Sequence, residues 1–78
     1  MSNPARDVIL VDVVEGLWEE RAELNGKIAR LRYKIRWGEN EIHPKQIAHM
    51  KEQLGYMVGY EIVLRIRIDE IMGRLDET

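Results

Sequence analysis

Two apolar stripes at helical spacing, parted by one short breaker, leave this chain very few shapes to fold into. In residues 17–37, LWEERAELNGKIARLRYKIRW, the positions Leu17, Leu24, Ile28, Leu31 and Ile35 recur at intervals of three, four and seven. That is the period of one helix face. Residues 44–75 carry a second such stripe through Ile47, Met50, Leu54, Met57, Leu64, Ile68, Ile71 and Leu75. Between them lies GENEIH. Gly38 suits the left-handed position that closes a helix, and Pro44 suits the first position of the next one. So short a link makes the two helices antiparallel neighbours. The expected fold class is all-α, an antiparallel two-helix hairpin forming a single domain over residues 1–78.

Glu61 interrupts the second stripe. Pairing about the turn brings it level with Glu20 and Arg21, and an unpaired carboxylate there would be costly. The expectation is an ion pair from Glu61 to Arg21. A hairpin of 78 residues without cysteine buries little apolar surface and has no disulfide to hold it. The second helix is also apolar beyond its stripe, at Val58, Ile62, Val63 and Ile66, with Gly55 and Gly59 on its outer side. Each interior glycine costs about 1 kcal/mol relative to alanine, a cost offset when something packs against it. A helix apolar most of the way round calls for more than one neighbour, so a homo-oligomer is expected. The back of the first helix offers Trp18, Ala22, Gly26, Ala29, Tyr33 and Trp37. These read either as a second packing surface or as ordinary half-exposed amphipathic side chains.

Residues 1–16, MSNPARDVILVDVVEG, point two ways. Asn3 and Pro4 suit an N-cap and a first helical position, and Asp7 suits a first turn. Val8, Ile9, Val11, Val13 and Val14 favour a strand, yet the chain holds no second strand to pair with it. A short separate helical segment is the expectation, with Gly16 bending it into the first long helix.

Most enzyme chemistry lacks its parts. There is no cysteine nucleophile, and Ser2 and Thr78 sit at the chain ends. His43 and His49 are six apart, a spacing that does not bring both to one helical face, so no metal site is expected. No glycine-rich phosphate loop occurs. No apolar run approaches the roughly 20 residues of a membrane span, and no signal-peptide pattern follows Arg6. A minor enzyme alternative keeps Arg21, Lys27 and Arg67 as a dicarboxylate clamp in a small helical enzyme.

Binding chemistry is better supplied. The net charge of −2 hides a strip from Leu24 to Trp37 with five basic residues (Lys27, Arg30, Arg32, Lys34, Arg36) and no acid. A globally acidic chain is a poor binder of long nucleic acid, which is held through many phosphates. A local basic strip can still hold a small anion, although most such strips are only solvated helix faces. Lys27, Arg30, Arg65, Arg67 and Arg74 are cations on long helices, and Trp18, Tyr33, Tyr56 and Tyr60 are planar. Cations beside rings are the ingredients for phosphate plus base.

The spacing of the two legs carries a resemblance. The first reads Glu20, Glu23-Leu24, Lys27-Ile28, Arg30-Leu31 and then Ile35; the second reads Gln53-Leu54, Met57, Tyr60, Val63-Leu64 and Arg67-Ile68. In this order, across a short turn, they resemble the hairpin domain of phage anti-CBASS and anti-Thoeris sponge proteins over residues 17–70. The resemblance implies a homohexamer in the cytoplasm of an infected bacterium. It implies non-covalent capture of cyclic di- or trinucleotide immune signals, with no cofactor and no catalysis. It implies ligand pockets between protomers, with Lys27 and Arg67 first as phosphate contacts; Arg30 and Tyr60 match the motif as ligand contacts or as structural residues, Tyr60 equally as a cap on the hairpin core, and Trp18 is a stacking candidate by chemistry alone. Lys34 stands where that family often has an aromatic residue. The competing reading is a structural or adaptor hairpin that meets a protein partner through its Val58–Ile66 face.

Overall fold

The computed structural model describes residues 4–76. Two helices, α1 (Pro4–Gly38, 35 residues) and α2 (Pro44–Leu75, 32 residues), run antiparallel as a rod of 60 × 15 × 13 Å. The expected N-cap at Asn3 and the terminal Ser2 and Thr78 lie outside the described residues. No helix among the described residues is long and apolar enough to cross a membrane.

Burial follows a heptad on both helices. On α1 the fully or partly buried seam residues are Leu10, Val14, Leu17, Arg21, Leu24, Ile28, Leu31 and Ile35, alternately three and four apart. On α2 they are Ile47, Met50, Leu54, Met57, Glu61, Leu64, Ile68, Ile71 and Leu75, with the same alternation. That spacing keeps one face of each helix turned toward its neighbour along the whole rod. Val14, Leu17, Leu24, Ile28, Leu64 and Ile68 form the core, with Leu54, Met57, Val58 and Ile71 packed against it. One layer of the seam is ionic. Arg21 Nε donates to Glu61 Oε1 at 2.8 Å, as expected from the sequence, and Glu61 is the more enclosed partner, its side chain 14% exposed against 35% for Arg21. Arg21 therefore belongs to the seam itself.

Two sequence expectations are corrected. Residues 4–16 form no separate segment and Gly16 makes no bend: α1 is continuous from Pro4 to Gly38. The reason is length. The Arg21–Glu61 contact sets the register, and in that register Val14 stands level with Ile68. Without the first three turns of α1, the last turns of α2 would have no neighbour. Packing of Leu10 and Val14 thus overrides the strand preference of the β-branched residues around them. The second correction is at the turn. Gly38 is not left-handed, since no described glycine has positive φ. Its carbonyl accepts from the amides of Glu41 and Ile42, at 3.0 and 2.9 Å. A Cβ there would lie 2.7 Å from Ile42 Cδ1, so any larger residue would make the end of the Ile42 side chain move. Pro44 does open α2, and His43 caps it: His43 Nδ1 accepts from the Lys45 amide at 3.1 Å. No cluster of three potential metal ligands occurs among the described residues.

Candidate ligand-binding edge

Heptad phase divides the polar residues beside the seam into two edges. Glu20, Lys27 and Lys34 of α1 line one edge and meet Gln53, Tyr60 and Arg67 of α2. Trp18 and Arg32 lie along the other, facing Arg65 and Lys51. Lys27 and Lys34 fall on one flank because seven residues make two turns of a coiled-coil helix.

Near the turn end of the first edge is a hollow of about 250 Å³ lined by Lys27, Arg30, Leu31, Lys34, Gln53 and Met57. Its construction follows from the fold. Leu31 and Met57 are seam residues, so they give it an apolar floor. Lys27, Arg30 and Lys34 stand on successive turns of α1 and supply three cations. Gln53 reaches in from α2 with an amide that can donate or accept. No acid lines it. Such a hollow suits a small anion, each contact being a charge-assisted hydrogen bond.

Farther along the same edge stands a different cluster. The Tyr60 hydroxyl donates to Glu20 Oε1. That bond holds the Tyr60 phenol above its ordinary pKa of 10.0, desolvation and the Glu20 charge add to the shift, and the Arg67 charge opposes it. Arg67 is therefore close enough to Tyr60 to act on it electrostatically. At 1.5 Å of rise per residue, the level of Lys27 is about 10 Å from that of Tyr60 and about 20 Å from that of Arg67.

The five residues singled out from sequence thus fall into three places. Lys27 and Arg30 share the hollow. Tyr60 and Arg67 share the Glu20 cluster. Trp18, on the opposite edge, joins neither. Within one chain, Lys27 and Arg67 are too far apart to hold the same phosphate. Leu31, Lys34, Gln53 and Met57 line the hollow without being among those five. The seven-residue step from Lys27 marked Lys34, and the register set by Arg21 and Glu61 marked Gln53. Two other concavities occur. One, of about 470 Å³, lies at the turn among Glu39, Asn40, Pro44, Ile47, Ala48 and Lys51. The other is an apolar shelf on the outside of α1, about 450 Å³, formed by Ala29, Arg30, Tyr33 and Lys34.

No curated protein and no solved structure matches the chain. A family model does: Sequestin, over residues 11–70. The matched span takes in the seam from the start of α1's core through the Arg21–Glu61 layer to Ile68, and it includes every residue of the basic hollow. The chain therefore belongs to the Sequestin family, phage anti-defence proteins that act by sequestering their target.

Proposed function

We propose that this protein captures cyclic oligonucleotide immune signals of the infected bacterium and holds them without cleaving them. The observation that carries this reading is the acid-free hollow of Lys27, Arg30, Lys34 and Gln53 on a Sequestin-family hairpin. A cyclic di- or trinucleotide offers what such a hollow takes, phosphates joined to flat bases. The hollow's three cations and one amide over an apolar floor are groups that hold an anion, so capture is the chemistry it supports. Phosphate contact is assigned to Lys27, Arg30 and Lys34 in the hollow. Arg67, with Tyr60 beside it, is assigned a second contact, to a ligand spanning copies of the chain, because one protomer keeps Arg67 about 20 Å and Tyr60 about 10 Å from the level of Lys27. Trp18, on the far edge, would reach a ligand only across such an interface. The assembly proposed is a homohexamer in the host cytoplasm.

Titration calorimetry against 3′,3′-cyclic di-AMP, 3′,3′-cyclic GMP–AMP and cyclic tri-AMP tests the reading. The expected result is saturable binding of at least one, weakened by salt, with the ligand recovered intact after heat denaturation. A well-folded sample that binds none of them, or that returns linearised product, overturns it.

A second reading is favoured by a specific feature. Ile62, Val63 and Ile66 are 41%, 49% and 50% exposed on the outer face of α2. An adaptor that docks a protein there would lose function on Val63→Asp and keep it on Arg67→Glu. Capture of an anion predicts that Arg67→Glu also costs affinity.

A further inference from the structure

We propose that the ligand site has two compartments, the basic hollow and the apolar shelf beside it, and that Tyr33 is the ring on which the flat group of a ligand lies. This deepens the capture reading above and rests on it.

The two concavities adjoin. Both are lined by Arg30 and Lys34, the hollow on one side and the shelf on the other. Their chemistry differs. The hollow adds Lys27 and Gln53 over an apolar floor; the shelf adds only the Ala29 methyl and the Tyr33 ring. Ala29 and Tyr33 are four apart, on one face of α1. The small residue leaves the ring's face open along the helix. Gly26, a further three residues back, lies beside the Arg30 guanidinium, where an added Cβ would stand 3.4 Å from Arg30 Nη1, an ordinary contact.

The other rings are differently placed. Tyr60 is tied to Glu20, and Tyr56 donates to Glu52 at 3.3 Å. Trp37 carries the Arg36 guanidinium over one face, 5.0 Å from its centroid, and lines neither compartment. Trp18 is on the opposite edge. Tyr33 is 67% exposed and shares its two wall residues with the anion hollow. A ligand that fits both compartments carries an anionic group and a planar apolar group separated by about the width of one side chain. That describes a nucleotide: the phosphate sits among Lys27, Arg30 and Lys34, and the base lies flat on Tyr33. Arg30 borders both compartments, and its guanidinium would turn toward the phosphate when a ligand binds.

The test compares a ligand with a base and an anion without one. 3′,3′-Cyclic di-AMP, 3′,3′-cyclic GMP–AMP, cyclic tri-AMP and inorganic pyrophosphate are titrated into the wild type, Tyr33→Ala, Tyr33→Phe and Lys27→Gln. Circular dichroism melts confirm that each variant folds. Loss of a stacked base by alanine substitution is expected to weaken cyclic-nucleotide binding about tenfold or more. Tyr33→Phe keeps the ring and should bind like the wild type. Pyrophosphate should bind Tyr33→Ala as it binds the wild type, whereas Lys27→Gln should weaken both classes. If Tyr33→Ala binds cyclic nucleotides normally while Lys27→Gln does not, the shelf assignment is wrong and the capture reading stands. Equal weakening of pyrophosphate and nucleotide by Tyr33→Ala also overturns the assignment, since the ring would then only be shaping the hollow. If the wild type binds no cyclic nucleotide, the capture reading fails and takes this one with it.

Discussion

The inner and outer faces of α2 are built on the same spacing and meet opposite fates. Inside, Leu54, Met57, Glu61, Leu64 and Ile68 step by three and four residues and are covered by α1. Outside, Gly55, Gly59, Ile62 and Ile66 step by four, three and four, and the hairpin covers none of them. Leu64 is 0% exposed, while Ile66, two residues on, is 50% exposed. A Cβ built on Gly55 or Gly59 meets nothing within 4 Å. One seam is complete within the chain. The other has the pattern of a seam, small residues beside large ones, and supports the proposal that copies of the hairpin pack together there. Close approach of a second backbone is what would offset two interior glycines.

The largest expected effect lies inside. Leu64→Ala should cost about 2–5 kcal/mol, the loss of a fully buried leucine together with the cavity it leaves. Ile66→Ala on a lone hairpin should stay within about 0.5 kcal/mol, as surface changes usually do. Urea unfolding at several protein concentrations separates the cases. A cost at Ile66 that grows with protein concentration marks the outer face as filled by another copy. Equal costs at both sites, independent of concentration, would erase the contrast between the faces.

Next in size is the ionic layer. Arg21→Met leaves Glu61 enclosed without its partner, and that should cost about 1–3 kcal/mol. Replacing both, Arg21→Leu with Glu61→Leu, should be near neutral or stabilising. The double variant would make the seam apolar throughout, and polar seam positions are what fix register and partner choice in coiled coils. Mixed oligomer sizes by native mass spectrometry are therefore expected from it. A double variant as destabilised as the single would show that the pair supplies stability and not only register.

Glycines give the finer comparison. Gly16 and Gly59 both have open space where a Cβ would go, and both are interior to helices. Gly16→Ala should stabilise by about 0.5–1 kcal/mol through backbone entropy alone. Gly59→Ala should not give that gain if a second backbone approaches it, and should shift the assembly toward smaller species. Equal gains at both positions would leave the outer face of α2 unpartnered.

Much of this was legible in the sequence because a heptad declares itself. The second leg, the turn and the Arg21–Glu61 pair follow from the apolar spacing and one misplaced charge. The start of α1 was hidden because β-branched residues speak for a strand locally, while the packing that overrules them comes from α2, some fifty residues away. Leu10 and Val14 do continue the stripe of Leu17, and that was the available signal. At Gly38 the residue type suggested a left-handed cap, but the backbone there has no positive φ. The binding edge was half legible. Charge marked Lys27 and Arg30, but which cations share a hollow depends on register, and chemistry alone could not tell that Trp18 faces away from it.

The smallest effect tests the two clusters on that edge against each other. The phenol of Tyr60 is raised above 10.0 chiefly by its bond to Glu20, and Arg67 opposes the shift. A group whose pKa is raised by folding contributes stability below its ordinary value and loses it as pH climbs through the raised one. Stability should therefore begin to fall above pH 10 and continue to fall through the native titration of Tyr60. In NMR titrations of protein labelled at the tyrosine ring Cζ, Glu20→Gln should return Tyr60 toward its ordinary value, and Arg67→Gln should raise it further. The same signal reports on Arg67. A phosphate held by Arg67 would add negative charge beside the phenol and raise its pKa, whereas one held only in the Lys27–Arg30–Lys34 hollow, about 10 Å away along the rod, would barely move it. A Tyr60 titration unchanged by saturating cyclic nucleotide would remove Arg67 from the proposed site and leave the hollow to hold the ligand alone.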